Sequence, residues 1–84
     1  MGIRFTKENV EKTLLLNEGF KFTVNYTSKN SKVITQYMIK DGHLCYHEKG
    51  ESKAEGPIDN IGVCDYPRTA RLLRAFKERL KLPI

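Results

Sequence analysis

The polar and apolar positions of this chain fall into two helical stripes separated by alternating runs. At the start, Thr6 has the side chain of an N-cap, and Lys7 and Glu8 open a first turn. Phe5 and Val10 occupy the two positions of a hydrophobic staple. Val10 and Leu14 lie one turn apart, with Leu15 and Leu16 widening the stripe. Gly19 suits the left-handed residue that ends a helix, with Phe20 packing back on Leu15. The spacing predicts a helix over 7–18. Phe20, Phe22, Val24 and Tyr26 then alternate with Lys21, Thr23, Asn25 and Thr27, the period of a half-buried strand. After the polar turn Ser28-Lys29-Asn30-Ser31, Val33, Thr35, Tyr37 and Ile39 form a second alternating set, and Leu44 and Tyr46 a third.

Asp41-Gly42 between the second and third sets is a two-residue hairpin signal, because both residues tolerate positive φ. That loop sets a register in which Lys40 faces His43, Ile39 faces Leu44, Met38 faces Cys45 and Tyr37 faces Tyr46. Apolar partners then meet on one face, and a one-residue slip would separate them. The stretch from 49 to 65 is polar and Gly/Pro-punctuated in its first half, which reads as a loop. Ile58, Ile61 and Val63 call for burial there, and a short fourth strand near 61–64 would provide it. Asp65 is an N-cap candidate for a last helix, with Pro67 in the first turn, where its missing N–H costs nothing. Thr69, Leu73, Phe76 and Leu80 line one face of it, Leu72 lies beside them, and Pro83 stops it. The expected fold is one α+β domain over residues 1–84: an N-terminal helix, a three-stranded antiparallel sheet with room for that fourth strand, and a C-terminal helix on the same sheet face.

Charge changes the picture at one end only. Residues 1–65 carry equal numbers of acids and bases, whereas 66–84 hold Arg68, Arg71, Arg74, Lys77, Arg79 and Lys81 against Glu78 alone. The whole net charge of +5 therefore sits on the last segment. On a helical wheel, Arg74, Arg71, Arg68 and Arg79 span the arc opposite the apolar face, with Lys77 and Lys81 on a flank. Arginine forks suit phosphate, and a row of them neutralises several backbone charges. Against this, solvent-facing helix sides are ordinarily charged and cations near a helix C-terminus favour its dipole. The shortage of acids tips the reading toward function.

The outer sheet face is the second surface. The register gives it Lys21, Thr23, Asn25 and Thr27, then Ile34, Gln36, Met38 and Lys40, then His43, Cys45 and His47. Gln36, Lys40 and His43 are hydrogen-bonding candidates for base contacts, and Ile34, Met38 and Cys45 make an apolar patch that could seat a protein. A solvated sheet face is commonly polar without being a site.

Chemistry beyond binding finds little footing. His43, Cys45 and His47 share a face, but the two histidines of a regular strand stand about 13 Å apart, too far for one ion. No phosphate loop, paired-carboxylate arrangement or metalloprotease motif occurs. The expectation is therefore a non-enzymatic module with no cofactor and no metal. Two cysteines make no disulfide framework, and reduced thiols fit a cytoplasmic protein, although one bridge between Cys45 and Cys64 stays open. The start MGIRFTKENVEK lacks the apolar stretch of a signal peptide, Gly2 with Thr6 only weakly matches a myristoylation pattern, and no run is long enough for a membrane span.

The order helix–three strands–helix is similar to that of double-stranded-RNA-binding domains, and its later part resembles the sheet-plus-helix readers of integrase N-terminal domains. Tyr66-Pro67-Arg68-Thr69-Ala70-Arg71 stands where the former family carries a dense lysine cluster. The resemblance is thus one of element order. The expected partner is DNA or RNA, held through Arg68, Arg71, Arg74, Lys77 and Arg79. The alternative is an acidic protein, docked by an inhibitor or adaptor that uses Ile34, Met38 and the tail Leu82-Pro83-Ile84. An edge strand beginning at Phe20 or ending at His47 could also pair with a second copy.

Overall fold

A computed structural model describes residues 3–83; Gly2 and Ile84 lie outside them. Helix α1 spans Lys7–Leu16, and strands β1 (Lys21–Thr27), β2 (Ser31–Lys40), β3 (His43–Ser52) and β4 (Gly56–Val63) follow. Helix α2 spans Tyr66–Ala75, and a 3₁₀ turn covers Lys77–Arg79. The strands pair in sequence order as one antiparallel meander.

Local chemistry accounts for the element ends. The Thr6 hydroxyl accepts from the Asn9 N–H at 3.3 Å and the Asp65 carboxylate from the Arg68 N–H at 2.9 Å, so both helices carry side-chain N-caps. Asp41 (φ 54°) and Gly42 (φ 75°) are both left-handed, as a type I′ hairpin needs. The Glu18 carboxylate accepts from both their N–H groups, at 2.9 and 3.4 Å. The register between β2 and β3 is the expected one, from Lys40 opposite His43 to Tyr37 opposite Tyr46.

Both helices lie on the sheet face that carries Phe22, Tyr37, Ile39 and Leu44. The core joins these to Phe5, Val10, Leu14, Cys64, Ala70 and Leu73, and Phe76 meets Phe22 with ring centres 4.2 Å apart. A ten-residue helix reaches about 15 Å and a ten-residue strand about 33 Å. The helices therefore cover only the end of the sheet near the Asp41-Gly42 hairpin, and the molecule is elongated, 44 × 26 × 18 Å. Toward the far end, Val24 and Tyr26 on the helix side are exposed.

Several expectations need correction. Helix α1 ends at Leu16 instead of residue 18, because Asn17 takes the C-cap. Leu15 and Leu16 are exposed at 70% and 47%, since the buried stripe is only Val10, Thr13 and Leu14. The expected loop after residue 49 is the continuation of β3, closed by a tight turn onto a β4 that starts at Gly56. The fourth strand is thus full-length, and β3 is an inner strand. The far end of β3 ladders to both neighbours whatever its polarity, because a strand beyond the helices buries little on either face. Ile61 (76% exposed) and Val63 (59%) are not buried either, because they point to the sheet face that no helix covers.

The last helix also stops early, at Ala75. Phe76 leaves helical geometry and packs on Phe22, and the chain turns back toward α1. There the Asn17 side chain donates to the Lys81 carbonyl at 2.8 Å and accepts from the Lys81 N–H at 2.9 Å. These bonds draw the tail across the helix pair; a helix running on to Pro83 would forgo them.

Candidate nucleic-acid interface

Helix α2 buries Thr69, Ala70 and Leu73. At a hundred degrees per residue, that burial aims Arg71 outward and sets Arg68 and Arg74 on opposite flanks. Arg71 and Arg74 are exposed, one turn apart. Lys77 and Arg79 are exposed on the 3₁₀ turn, and Lys81 is exposed on the tail. The break at Phe76 removes Arg79 from the helical arc, and Lys77 and Lys81 from the flank, expected for them, so the cations follow a bent path.

Arg68 has a different setting from its neighbours. It donates to the Tyr37 hydroxyl at 2.8 Å, and its guanidinium lies 4.6 Å from the centre of the Tyr46 ring and 5.5 Å from that of Tyr37. The Tyr46 ring in turn rests on Gly62 of β4, where an added Cβ would come within 2.7 Å of its hydroxyl. Gly62, Tyr46 and Arg68 form a stack that ties the β4 edge to the first turn of α2. Burial works against charge on Arg68, but the hydrogen bond and attraction of Tyr37 outweigh it and hold the guanidinium above its ordinary value. Arg79 approaches Phe20 and Phe76, at 5.4 and 5.8 Å from their ring centres.

Gln36, Lys40 and His43 are exposed on the uncovered sheet face, with the whole sheet between them and α2. Gln36 borders a shallow basin of about 460 Å³ with Lys21, Thr23, Met38, His47 and Ile61. The candidate phosphate and base contacts therefore lie on opposite faces, and one straight ligand cannot meet both. Beside the basin, His47 Nε2 is 2.7 Å from Asp59 Oδ1. Among the described residues no three His, Cys, Asp or Glu side chains converge as a metal-binding set. Cys45 and Cys64 are both free thiols, Cys64 in the core and Cys45 on the uncovered face. No described helix is long and apolar enough to cross a membrane.

Two features escaped the sequence reading. The Tyr37–Tyr46 platform for Arg68 depends on a long-range contact that no local pattern signals, although a glycine inside a strand pattern, Gly62, hints at a close approach. The apolar patch on the uncovered face also extends farther than expected, because β4 adds Ile61 and Val63 to Ile34, Met38 and Cys45. The chain has no significant match among known protein families, curated proteins or solved structures.

Proposed function

We propose that the chain is a non-enzymatic binding module that grips a nucleic-acid backbone through Arg71, Arg74, Lys77, Arg79 and Lys81. One observation carries this reading. These cations share their segment with a single acid, Glu78, and none of them takes part in an ion pair among the described residues. A helix side that serves solubility alone mixes its charges, whereas an unpaired row keeps its counterions available for exchange with phosphate. Arg68 serves as a positioning residue, holding α2 against the sheet. Gln36, Lys40 and His43 lie on a different surface, the uncovered sheet face.

Fluorescence anisotropy with duplex DNA, duplex RNA and single strands tests the proposal. Affinity should fall steeply with salt, log K losing about 0.9 per log unit of salt for each duplex phosphate engaged. Arg71→Glu with Arg74→Glu should abolish binding, and Lys53→Glu, in the turn between β3 and β4 at the far end of the sheet, should leave it intact. An absence of binding to every probe at low salt would overturn the reading.

The uncovered face favours a second reading, docking of an acidic protein. Ile61 and Val63 are unusually exposed there, and around them Lys21, Lys32, Lys40 and Lys49 outnumber Glu51 and Asp59. Under that reading Ile61→Lys, and not the Arg71 and Arg74 pair, abolishes capture of the partner.

A further inference from the structure

The sheet ends on two unlike edges. Strand β4 carries Gly56, Pro57, Asp59 and Gly62, the kinds of residue that blunt an edge against pairing. Strand β1 has no proline, no glycine and no acid, and every residue in it except Phe22 is exposed. Its backbone is half used. The Ile39 N–H donates to the Phe20 carbonyl at 2.9 Å and the Ser28 N–H to the Ser31 carbonyl at 2.8 Å. Carried along the register, this phase turns the peptide groups of Phe22, Val24 and Tyr26 toward β2. Those of Lys21, Thr23, Asn25 and Thr27 point outward, and no described residue meets them.

We propose that β1 is a homodimerisation edge, along which two copies pair antiparallel with Val24 on the two-fold axis. This register overlaps all of Lys21–Thr27 and engages every outward peptide group: Thr23 exchanges hydrogen bonds with the partner's Asn25, and Lys21 with the partner's Thr27. The side chains agree with it. On the uncovered face Thr23 sits beside the partner's Asn25, two short polar groups. On the helix side Val24 meets the partner's Val24, and Tyr26 comes beside the partner's Phe22.

The fold explains why this match is useful. Tyr26 (60% exposed) and Val24 (36%) are bare because the helices cover only the other half of the sheet. The two-fold places the partner's helix-covered half alongside this bare half, so Tyr26 reaches the aromatic cluster of the partner's Phe22 and Phe76. Charge is compatible as well. The strand's one charged residue, Lys21, is held about 20 Å from the partner's Lys21. A dimer built this way carries the basic segments of both copies on the same side of one continuous sheet.

Sedimentation equilibrium of the full chain and two variants tests the pairing and its register. Thr23→Lys with Asn25→Lys sets lysines directly opposite one another and should reduce the mass from dimer to monomer. Thr23→Lys with Asn25→Glu sets lysine opposite glutamate in this register and should restore the dimer. As a second measurement, Val24→Cys should give a disulfide-linked dimer on mild oxidation, since facing residues of a non-hydrogen-bonded pair have Cα atoms about 4.5 Å apart. Circular dichroism confirms that each variant is folded. A monomeric parent at high micromolar concentration, or a dimer indifferent to both charge variants and to the cysteine, would overturn the proposal. Monomers that pair only with a foreign strand count equally against it.

Discussion

Arg68 donates to the hydroxyl of Tyr37 across 2.8 Å, and this bond fastens the first turn of α2 to the second strand of the sheet. The guanidinium also lies against Tyr46. Arg68→Ala should lower unfolding free energy by about 1–2 kcal/mol, the sum of a modest charged hydrogen bond and a part-exposed cation–π contact. Tyr37→Phe should lose only the first part, and the double variant should reveal the coupling in a urea-unfolding cycle. Lysine at 68 should recover little, lacking the planar fork. Affinity for nucleic acid should fall less with Arg68→Ala than with Arg71→Ala, because Arg68 is engaged internally.

Gly62 lies beneath the Tyr46 ring, leaving no room for a side chain. Gly62→Ala should destabilise the fold by about 1–3 kcal/mol, the usual cost of overpacking. In the Tyr46→Ala background the same substitution should be far milder. Thermal unfolding of the four species would show it, and equal costs in both backgrounds would contradict the stacking.

The two thiols should react differently. Burial pushes the Cys64 thiol up from its ordinary value of 9.0, with Arg68 partly opposing the shift. A thiol whose folded value exceeds its unfolded one contributes full stability below the unfolded value. That contribution is lost as pH rises from the unfolded value to the folded one. Stability should therefore decline above pH 9.0, and Cys64→Ala should flatten that decline. At neutral pH an alkylating reagent should label Cys45 well before Cys64, since only Cys45 is accessible.

Leu14 and Leu15 offer a comparison of neighbours. Leu14 is 5% exposed and Leu15 is 70% exposed. Leu14→Ala should cost about 2–5 kcal/mol and Leu15→Ala within about 0.5 kcal/mol. Chemical denaturation of the two variants measures the difference.

Most of the architecture is legible in the sequence wherever the signal is local. The caps at Thr6 and Asp65, the left-handed turn at Asp41-Gly42 and the resulting register depend on residues close together in the chain. The misreadings within the sheet have two causes, an outer face without helices and a mismatch of element lengths on the inner one. Ile61 and Val63 are exposed because they point to the face that no helix covers, and Tyr26 because strands much longer than the helices leave half of the other face bare. Polar residues such as Glu51 and Ser52 likewise ladder in a strand whose sequence reads as a loop. The candidate interface was legible as a charge excess and illegible as a shape. The bend at Phe76 and the capture of Arg68 by Tyr37 and Tyr46 both depend on partners far away in the chain, on β1, β2 and β3.

Because every strand of the meander pairs with its neighbour in sequence, the sheet can assemble through a succession of short loop closures, with low contact order and little entropic delay. The distant parts of the chain are joined by a few bonds near its ends, from Tyr66 to the Phe5 carbonyl and between Asn17 and Lys81. Because they close the longest loops, those latches are expected to form after the ladder and to open before it. Asn17→Ala should therefore speed unfolding while leaving the refolding rate nearly unchanged, an asymmetry read directly from the two arms of a chevron plot. The lifetime of the folded state, as distinct from the speed of reaching it, is then set where the two ends of the chain meet.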